Sequence, residues 1–169
     1  MNRSLKADLY HRVSIRQFTD QPVEEEKIFE ILRAAMQSPS TANQQPWEFY
    51  VVTDAERIQR LGSIKGSSRH ASGAPVCIVP AYRVKDGDPG WAQIDLSICM
   101  ENMWLAADAL GLGGVWIGVY PEEETMKACE EICGIPEGQR AFGLFPLGYP
   151  AASKEQEDRF KPERIHFVK

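Results

Sequence analysis

Two polar segments near the start of the chain carry residue types that bind a phosphate and a flat polar ring. The first runs His-Arg-Val-Ser-Ile-Arg-Gln-Phe over 11–18, and the second runs Ser-Pro-Ser-Thr-Ala-Asn-Gln-Gln-Pro-Trp over 38–47. Guanidinium groups, hydroxyls and backbone N–H groups bind phosphate through charge-assisted hydrogen bonds, and side-chain amides bind the polar edge of a heterocycle. The two loops together therefore predict a nucleotide-type ligand.

The hydrophobic pattern predicts the elements that must position these loops. Apolar residues at helical spacing predict helices over 5–11, 23–36, 53–61, 94–110 and 121–133. Runs rich in β-branched and aromatic residues predict strands over 47–52, 75–82, 115–119 and 141–147, and a short strand over 164–168. The Gly- and Ser-rich stretch 62–73 predicts a mobile loop.

The predicted helix over 94–110 is apolar nearly all round, which is typical of a helix buried at a domain centre or in a subunit interface. Gly111 is expected to end it. The segment is shorter than the ~20 apolar residues of a transmembrane helix. It also contains Asp95, Glu101 and Asp108, so we expect no membrane span.

Length and composition limit the possible functions. A chain of 169 residues with 43% hydrophobic residues suits one domain with a buried core. The net charge of −5 argues against nucleic-acid or anionic-membrane partners, because these require clustered positive charge. The first residues lack the apolar stretch of a secretory signal, so we expect a cytoplasmic protein. Its four cysteines are expected to be free thiols that hold no metal.

Four motifs occur in an order that resembles a known family. They are Arg-x-Ser-Ile-Arg-x-Phe at 12–18, Ser-Pro-Ser-x-x-Asn-x-Gln-Pro-Trp at 38–47, Gly-Leu-Gly-Gly-Val-Trp-Ile-Gly at 111–118 and Leu-Phe-Pro-Leu-Gly-Tyr-Pro at 144–150. Each motif is short, but their order and spacing resemble the nitroreductase family of FMN-dependent oxidoreductases over residues 5–167.

The resemblance implies an α+β fold, with a mixed, mostly antiparallel central sheet flanked by helices. It implies a single FMN-binding domain over 1–169 in a domain-swapped homodimer, with two flavin sites at the interface. The tail, residues 150–169, is expected to pack on the partner subunit and to add the strand over 164–168 to its sheet. The alternative is a tail folded on its own subunit.

The resemblance also implies a reaction. NADH or NADPH is expected to reduce FMN at N5 and leave before an electron-poor small molecule, such as a nitroaromatic or a quinone, takes two electrons in a ping-pong cycle. The flavin carries the chemistry, so no catalytic side chain is expected.

The resemblance implies that the first loop holds the phosphate and one edge of the flavin. Arg12 contacts the phosphate, Val13 lines the same site, and Ser14 lies at the phosphate or the ribityl chain. Arg16 lies by the N1/O2 edge of the ring, where a positive charge favours two-electron reduction. A tail arginine, Arg159, is a second phosphate ligand.

Two further segments are implied to contact the flavin. The second loop reaches it from the partner subunit through Pro39, Ser40, Thr41, Asn43 and Gln45. The third motif lies along the ring with Trp116, Ile117 and Gly118, and the Gly118 backbone N–H lies near N5. Glu157 stands where many relatives carry a lysine, which weakens the expected phosphate site. The basic residues within 62–73 receive no role.

Three other functions remain open from the sequence. One is a different flavin chemistry on the same scaffold, such as reductive dehalogenation or flavin breakdown. The second is a non-catalytic flavin-binding protein, and the third is an interaction domain without a cofactor.

Overall fold

The computed structural model describes residues 9–86 and 90–169. Its α-helices are α1 Glu25–Met36, α2 Ala55–Ser63, α3 Trp91–Ala109 and α4 Glu123–Cys133. Its strands are β1 Trp47–Val52, β2 Val76–Arg83, β3 Gly113–Gly114, β4 Ile117–Gly118, β5 Gln139–Ala141 and β6 Gly143–Gly148. Short 3₁₀ helices occupy Thr41–Asn43, Gly66–Ala71, Val84–Asp86 and Pro162–Arg164.

The strands form one antiparallel sheet around β2. Strand β1 pairs with one edge of β2, and both β5 and β6 pair with the other edge. Strands β3 and β4 pair with the far edge of β6. An isolated parallel bridge joins Ser14 to Gly114. The predicted α+β class with a mostly antiparallel sheet is therefore confirmed.

The sheet is covered by helices on both faces. Side chains along β2 alternate, as the period of two in a strand requires. Ile78 belongs to a core shared with α1 and α3, whereas Val79 belongs to a core shared with α2 and α4. The predicted helix over 23–36 begins two residues later, at Glu25, and buries Ile28 and Ile31. The long helix α3 is largely buried, as its apolar composition predicts.

The predicted single strand over 115–119 is wrong. Only Ile117–Gly118 within it forms a strand, β4, and a separate two-residue strand, β3, precedes it at Gly113–Gly114. Both keep one register against β6, with Gly114 opposite Leu147 and Ile117 opposite Leu144. In that register Pro146 lies opposite the gap between the two strands. Proline has no N–H to donate, so the hydrogen-bond ladder is interrupted there.

The predicted strand over 141–147 is also divided, by a β-bulge at Phe142. Ala141 pairs with Ala81, but Phe145 pairs with Ile78, which shifts the register by one residue. The carbonyl oxygen of Phe142 accepts hydrogen bonds from the N–H groups of Val119 and Tyr120, at 3.1 and 3.0 Å. A bulge of this kind redirects a strand, and here it brings the chain around Tyr120 against the sheet.

Helix ends follow local hydrogen-bond chemistry. Gly111 follows the end of α3 with φ of 75°. Its N–H donates to Asp108 O at 3.0 Å, and the N–H of Leu112 donates to Ala107 O at 2.9 Å. This is a Schellman motif, so the expected stop at Gly111 is confirmed. Helix α2 begins two residues later than predicted, because the Asp54 carboxylate caps it by accepting from Arg57 N at 2.9 Å.

Three predictions for loops and ends have other outcomes. The stretch 62–73 is not an irregular loop, since it contains a 3₁₀ helix in which the buried Ser68 hydroxyl donates to Gly62 O at 3.0 Å. No strand forms over 164–168 in this chain, because its side chains are exposed and reach no sheet edge of their own subunit. Of the predicted helix over 5–11, residues 5–8 lie outside the described residues, and 9–11 are not helical.

In the described part of the chain, every helix is too short or too polar to cross a membrane. All four cysteines are free, as expected, and only Cys133 is partly exposed.

Candidate functional site

The first loop is fixed to the sheet beside the third motif. Ile15 N donates to Gly114 O at 2.9 Å, next to the bridge between Ser14 and Gly114. A Cβ at Gly113 would come within 2.5 Å of Ile15 Cγ1, so a larger residue would push the two segments apart. The structure thus brings together two of the predicted segments, which are far apart in sequence.

Arg16 and the third motif open onto one cleft of about 420 Å³. The 3₁₀ helix Gly66–Ala71 and the residue before it complete the wall. The residues that matter for the chemistry of this cleft are Arg16, Lys65, Arg69, His70, Trp116 and Gly118. The predicted residues Arg16, Trp116, Ile117 and Gly118 therefore share one site.

The cleft is positively charged although the whole chain has a net charge of −5. Lys65 Nζ lies 3.0 Å from Glu122 Oε1, and this hydrogen bond lowers the pKa of Glu122. Among the described residues, no carboxylate pairs with the guanidinium of Arg16 or Arg69. Burial, followed by the charges of Arg69 and Arg16, lowers the pKa of His70. The cleft therefore favours an anionic ligand.

A second cleft, of about 520 Å³, adjoins the first and shares Trp116, Gly118 and Tyr120 with it. Its wall is aromatic: the rings of Tyr120 and Phe142 stack with centroids 6.2 Å apart, and Trp116 lies 5.9 Å from Phe142. A Cβ at Gly118 would meet only Tyr120 O, at 3.7 Å, so the backbone there is open to a ligand. An aromatic wall beside uncovered backbone suits a planar ring.

Arg12 lies outside both clefts. Its guanidinium stacks on Trp104 at 4.0 Å from the ring centroid, and its Nε lies 3.5 Å from Glu101 Oε1. Gln156 Nε2 donates to Arg12 O at 2.9 Å, so the tail passes beside the first loop. Arg159 follows three residues later and is exposed. The structure thus brings the tail to Arg12, while Val13 is half-buried between Arg12 and the sheet bridge.

The second loop lies on α3 and lines neither cleft of its own chain. The N–H of Thr41 donates to Asp95 Oδ1 at 3.1 Å, and Ser40 Oγ accepts from Gln45 N at 2.9 Å. Pro39 and Asn43 belong to the same loop. Its predicted role at the partner's flavin stays a prediction, and its position away from the clefts is compatible with that role.

Two features of the site are not predicted from the sequence. Lys65, Arg69 and His70 received no role, although basic residues in a Gly- and Ser-rich stretch were a visible signal. Asp95 gave no signal, because a carboxylate within a long helix is indistinguishable in sequence from a solvent-facing charge.

Comparisons with known proteins give the class of this chain. The sequence model of the Nitroreductase family matches residues 9–68 and 63–149. The "Putative NADH dehydrogenase/NAD(P)H nitroreductase" of Archaeoglobus fulgidus is 43% identical over 164 residues, which cover 94% of each chain. The chain therefore belongs to the nitroreductase family, as its motifs indicate.

Solved structures agree with this membership. The FMN-dependent nitroreductase of Clostridium difficile superposes with a TM-score of 0.89 at 29% identity, covering 96% of this chain and 98% of the other. The NADPH:FMN oxidoreductase of Vibrio harveyi, solved in complex with NAD+, superposes with a TM-score of 0.84 at 25% identity, covering 99% of this chain and 78% of the other. The fold that holds the site is thus the fold of these flavin-linked enzymes.

Proposed function

We propose that this protein is an FMN-dependent oxidoreductase that passes two electrons from NADH or NADPH to an electron-poor small molecule, such as a nitroaromatic or a quinone. Family membership supports the reaction class. The names of two relatives, an FMN reductase that uses NAD(P)H and an NADPH nitroreductase, support the two cofactors. The acceptor and the ping-pong order belong to the proposal.

The observation that carries this proposal is the cationic cleft beside the open backbone at Gly118. FMN, when bound, supplies the redox chemistry, and its reduced ring carries negative charge at the N1/O2 edge. Arg16 and Arg69, which lack carboxylate partners in the described structure, offer fixed positive charge to that edge. Trp116 and the uncovered Gly118 backbone leave room for the flat ring.

The phosphate end of FMN requires charge-assisted hydrogen bonds, and the proposal assigns these to Arg12, Ser14 and Arg159. Arg12 is already oriented by its stack on Trp104, and the tail that carries Arg159 is tied to Arg12 through Gln156. Lys161 lies close enough in sequence to compensate for Glu157.

The second loop and the tail require a partner subunit in this proposal. Pro39, Ser40, Thr41, Asn43 and Gln45 lie away from the clefts of their own chain, so a homodimer would let them close the flavin site of the partner. The aromatic cleft remains open for the donor and the acceptor in turn, which gives ping-pong kinetics.

The test is an anaerobic visible spectrum of the protein reconstituted with FMN. We expect the absorption of bound oxidised flavin to bleach on adding NADH or NADPH, and to return on adding a nitroaromatic or a quinone. Parallel double-reciprocal plots would support the ping-pong order. Bound flavin that stays oxidised with both donors would contradict the reductase, and a protein that binds no FMN would contradict the site.

A further inference from the structure

A buried carboxylate on α3 directs its hydrogen bonds to the second loop. Asp95 is only 3% exposed. Both carboxylate oxygens accept from the backbone N–H of Thr41, at 3.1 and 3.2 Å. Oδ1 also accepts from Thr41 Oγ1 at 3.4 Å, and Oδ2 accepts from Gln44 Nε2 at 3.3 Å. No cation pairs with Asp95 among the residues that the structure describes.

Burial of this carboxylate is unfavourable for the fold taken alone. An unpaired buried charge is tolerated only when hydrogen bonds replace its water, and an apolar side chain of similar size would fill the site at lower cost. The next residue, Leu96, and its neighbour Cys99 are fully buried and apolar, so the surrounding core has no need of a charge. The contacts of Asp95 therefore serve the loop.

The loop needs such support because its backbone is strained. Ala42, Asn43 and Gln45 have positive φ angles of 50°, 54° and 47°. Residues other than glycine adopt this left-handed region at a cost in free energy, and they stay there only where surrounding contacts hold them.

Two sets of contacts hold the strained segment at its ends. Asp95 binds the N-terminal end at Thr41. At the other end, Arg83 Nη2 donates to Gln45 O at 2.7 Å, and Gln45 N donates to Ser40 Oγ at 2.9 Å. Without Asp95, the N–H of Thr41 would lose its acceptor and the 3₁₀ helix Thr41–Asn43 would lose its anchor.

We propose that Asp95 is a positioning residue for flavin binding, which holds Ser40, Thr41 and Asn43 in the conformation that contacts FMN. The inference rests on the proposed function, because the contact of this loop with flavin is part of it. Asp95 acts through the loop backbone and touches no reacting atom.

A reciprocal pair of substitutions tests the inference. In Asp95→Asn the negative charge is lost and an amide N–H replaces one of the two acceptor oxygens, and in Gln44→Glu a second carboxylate faces Asp95. Each single change should raise the FMN dissociation constant on the order of tenfold, since a charged hydrogen bond is lost. In the double variant, the new amide on α3 can accept from Thr41 through its oxygen while its N–H donates to the new carboxylate on the loop. Affinity should then return to within about threefold of the parent.

The measurements are FMN fluorescence quenching for the dissociation constant and thermal unfolding of the apoprotein for stability. The matched control is Leu96→Val, which shortens a buried side chain beside Asp95 and changes no residue of the loop. It should lower the unfolding temperature of the apoprotein and leave FMN affinity unchanged. A purely structural role would give Asp95→Asn the same behaviour as this control.

Two results would overturn the positioning role: unchanged FMN affinity in Asp95→Asn, or a double variant no better than the singles. If Asp95→Asn does not fold, Gln44→Ala serves instead, because it removes one half-exposed donor, and it should raise the dissociation constant about threefold. Unchanged affinity in Gln44→Ala would then overturn it. Failure of the parent protein to bind FMN would instead refute the proposed function, and the inference with it.

Discussion

His70 lines the cationic cleft together with Arg16 and Arg69, and its surroundings lower its pKa. Burial and the nearby charges of Arg69 and Arg16 disfavour the imidazolium, so the pKa of His70 lies below its usual 6.5. At neutral pH the ring is therefore a neutral hydrogen-bonding group. The positive charge of the cleft comes from Arg16 and Arg69, because Glu122 neutralises Lys65.

The first prediction follows from these neighbours. Replacing Arg69 with Gln should move the His70 pKa, measured by NMR titration of its ring proton, upward toward 6.5, because one repelling cation is removed. Arg33→Gln, on the exposed face of α1, should leave it unchanged. A His70 pKa that does not respond to Arg69 would contradict the contribution of Arg69 to the shift.

The same shift has a consequence for stability. The folded pKa lies below the unfolded value, so unfolding takes up protons as the pH falls. The contribution of neutral His70 to the free energy of unfolding is fully present above about pH 6.5. It is lost as the pH falls through the pKa of His70 in the folded protein. Urea unfolding at several pH values should show this loss in the parent protein and a smaller one in His70→Asn. Identical pH profiles would contradict the assignment.

Arg12 and Arg159 are the residues assigned to the FMN phosphate. Each charged contact is worth about 1.5–3 kcal/mol, so Arg12→Ala and Arg159→Ala should each weaken FMN binding roughly 10- to 100-fold. Arg12→Lys should recover only part of the loss, because lysine cannot bind phosphate bidentately or stack as well on Trp104. Arg33→Ala is the control. Unchanged affinity in both alanine variants would contradict the phosphate site.

Single residues differ in how far their roles can be predicted from sequence. Arg16 and Gly118 lie in motifs, and the structure places both at one cleft. Arg69 and His70 reach that cleft only because a 3₁₀ helix turns them toward it, and no periodic signal marks that helix. Asp95 acts through a loop about fifty residues earlier, which helical spacing does not reveal.

At the scale of elements, the packing of β3 depends on glycine. A Cβ at Gly114 would lie 2.5 Å from Phe145 Cζ and 2.8 Å from Pro146 O. Gly114→Ala should therefore destabilise the protein by about 1–3 kcal/mol in urea unfolding, because the core around Phe145 cannot yield freely. Gly73→Ala is the control, since nothing lies within 4 Å of its Cβ position. Equal stability of both variants would refute this packing argument.

The existence and type of the long elements follow from local sequence, but the interruptions of the short strands do not. Helices α1, α3 and α4 each show apolar or capping patterns of their own. The gap between β3 and β4 depends on Pro146, which lies in another strand about thirty residues away. The bulge at Phe142 depends on two registers against β2. Such pairings join residues that are far apart in the chain, so local sequence does not predict them.

For the whole molecule, the distribution of exposed apolar side chains favours association. Phe160, Phe167 and Val168 in the tail are 72%, 87% and 97% exposed in the single chain. Trp91 and Ile94 on the outer face of α3 are about half exposed. Apolar surface of this kind is typical of an interface with another protein surface, and a second copy is the partner that the proposed function requires.

The corresponding prediction concerns mass and flavin together. Analytical ultracentrifugation should give twice the chain mass of 19.0 kDa. Deleting residues 152–169 should yield a monomer that binds FMN weakly. The deletion removes the contact of the tail with the partner subunit, and a monomer lacks the residues that the partner contributes to the flavin site. Lys154→Ala, an exposed change in the same tail, should remain dimeric. A truncated chain that still dimerises and binds FMN would contradict the expected role of the tail at the partner subunit.

The four free cysteines differ in burial and in pKa, so one of them should react selectively with a thiol reagent. Burial raises the pKa of Cys77 and Cys99, the latter to about 12, and Cys129 is buried as well. Cys133 is partly exposed at the end of α4, and a hydrogen bond from Cys129 together with nearby Arg57 lowers its pKa. Since thiolates react with maleimides, one dye should attach at Cys133 on the native protein. That dye would mark one defined position of the chain, outside both clefts, without any engineered cysteine.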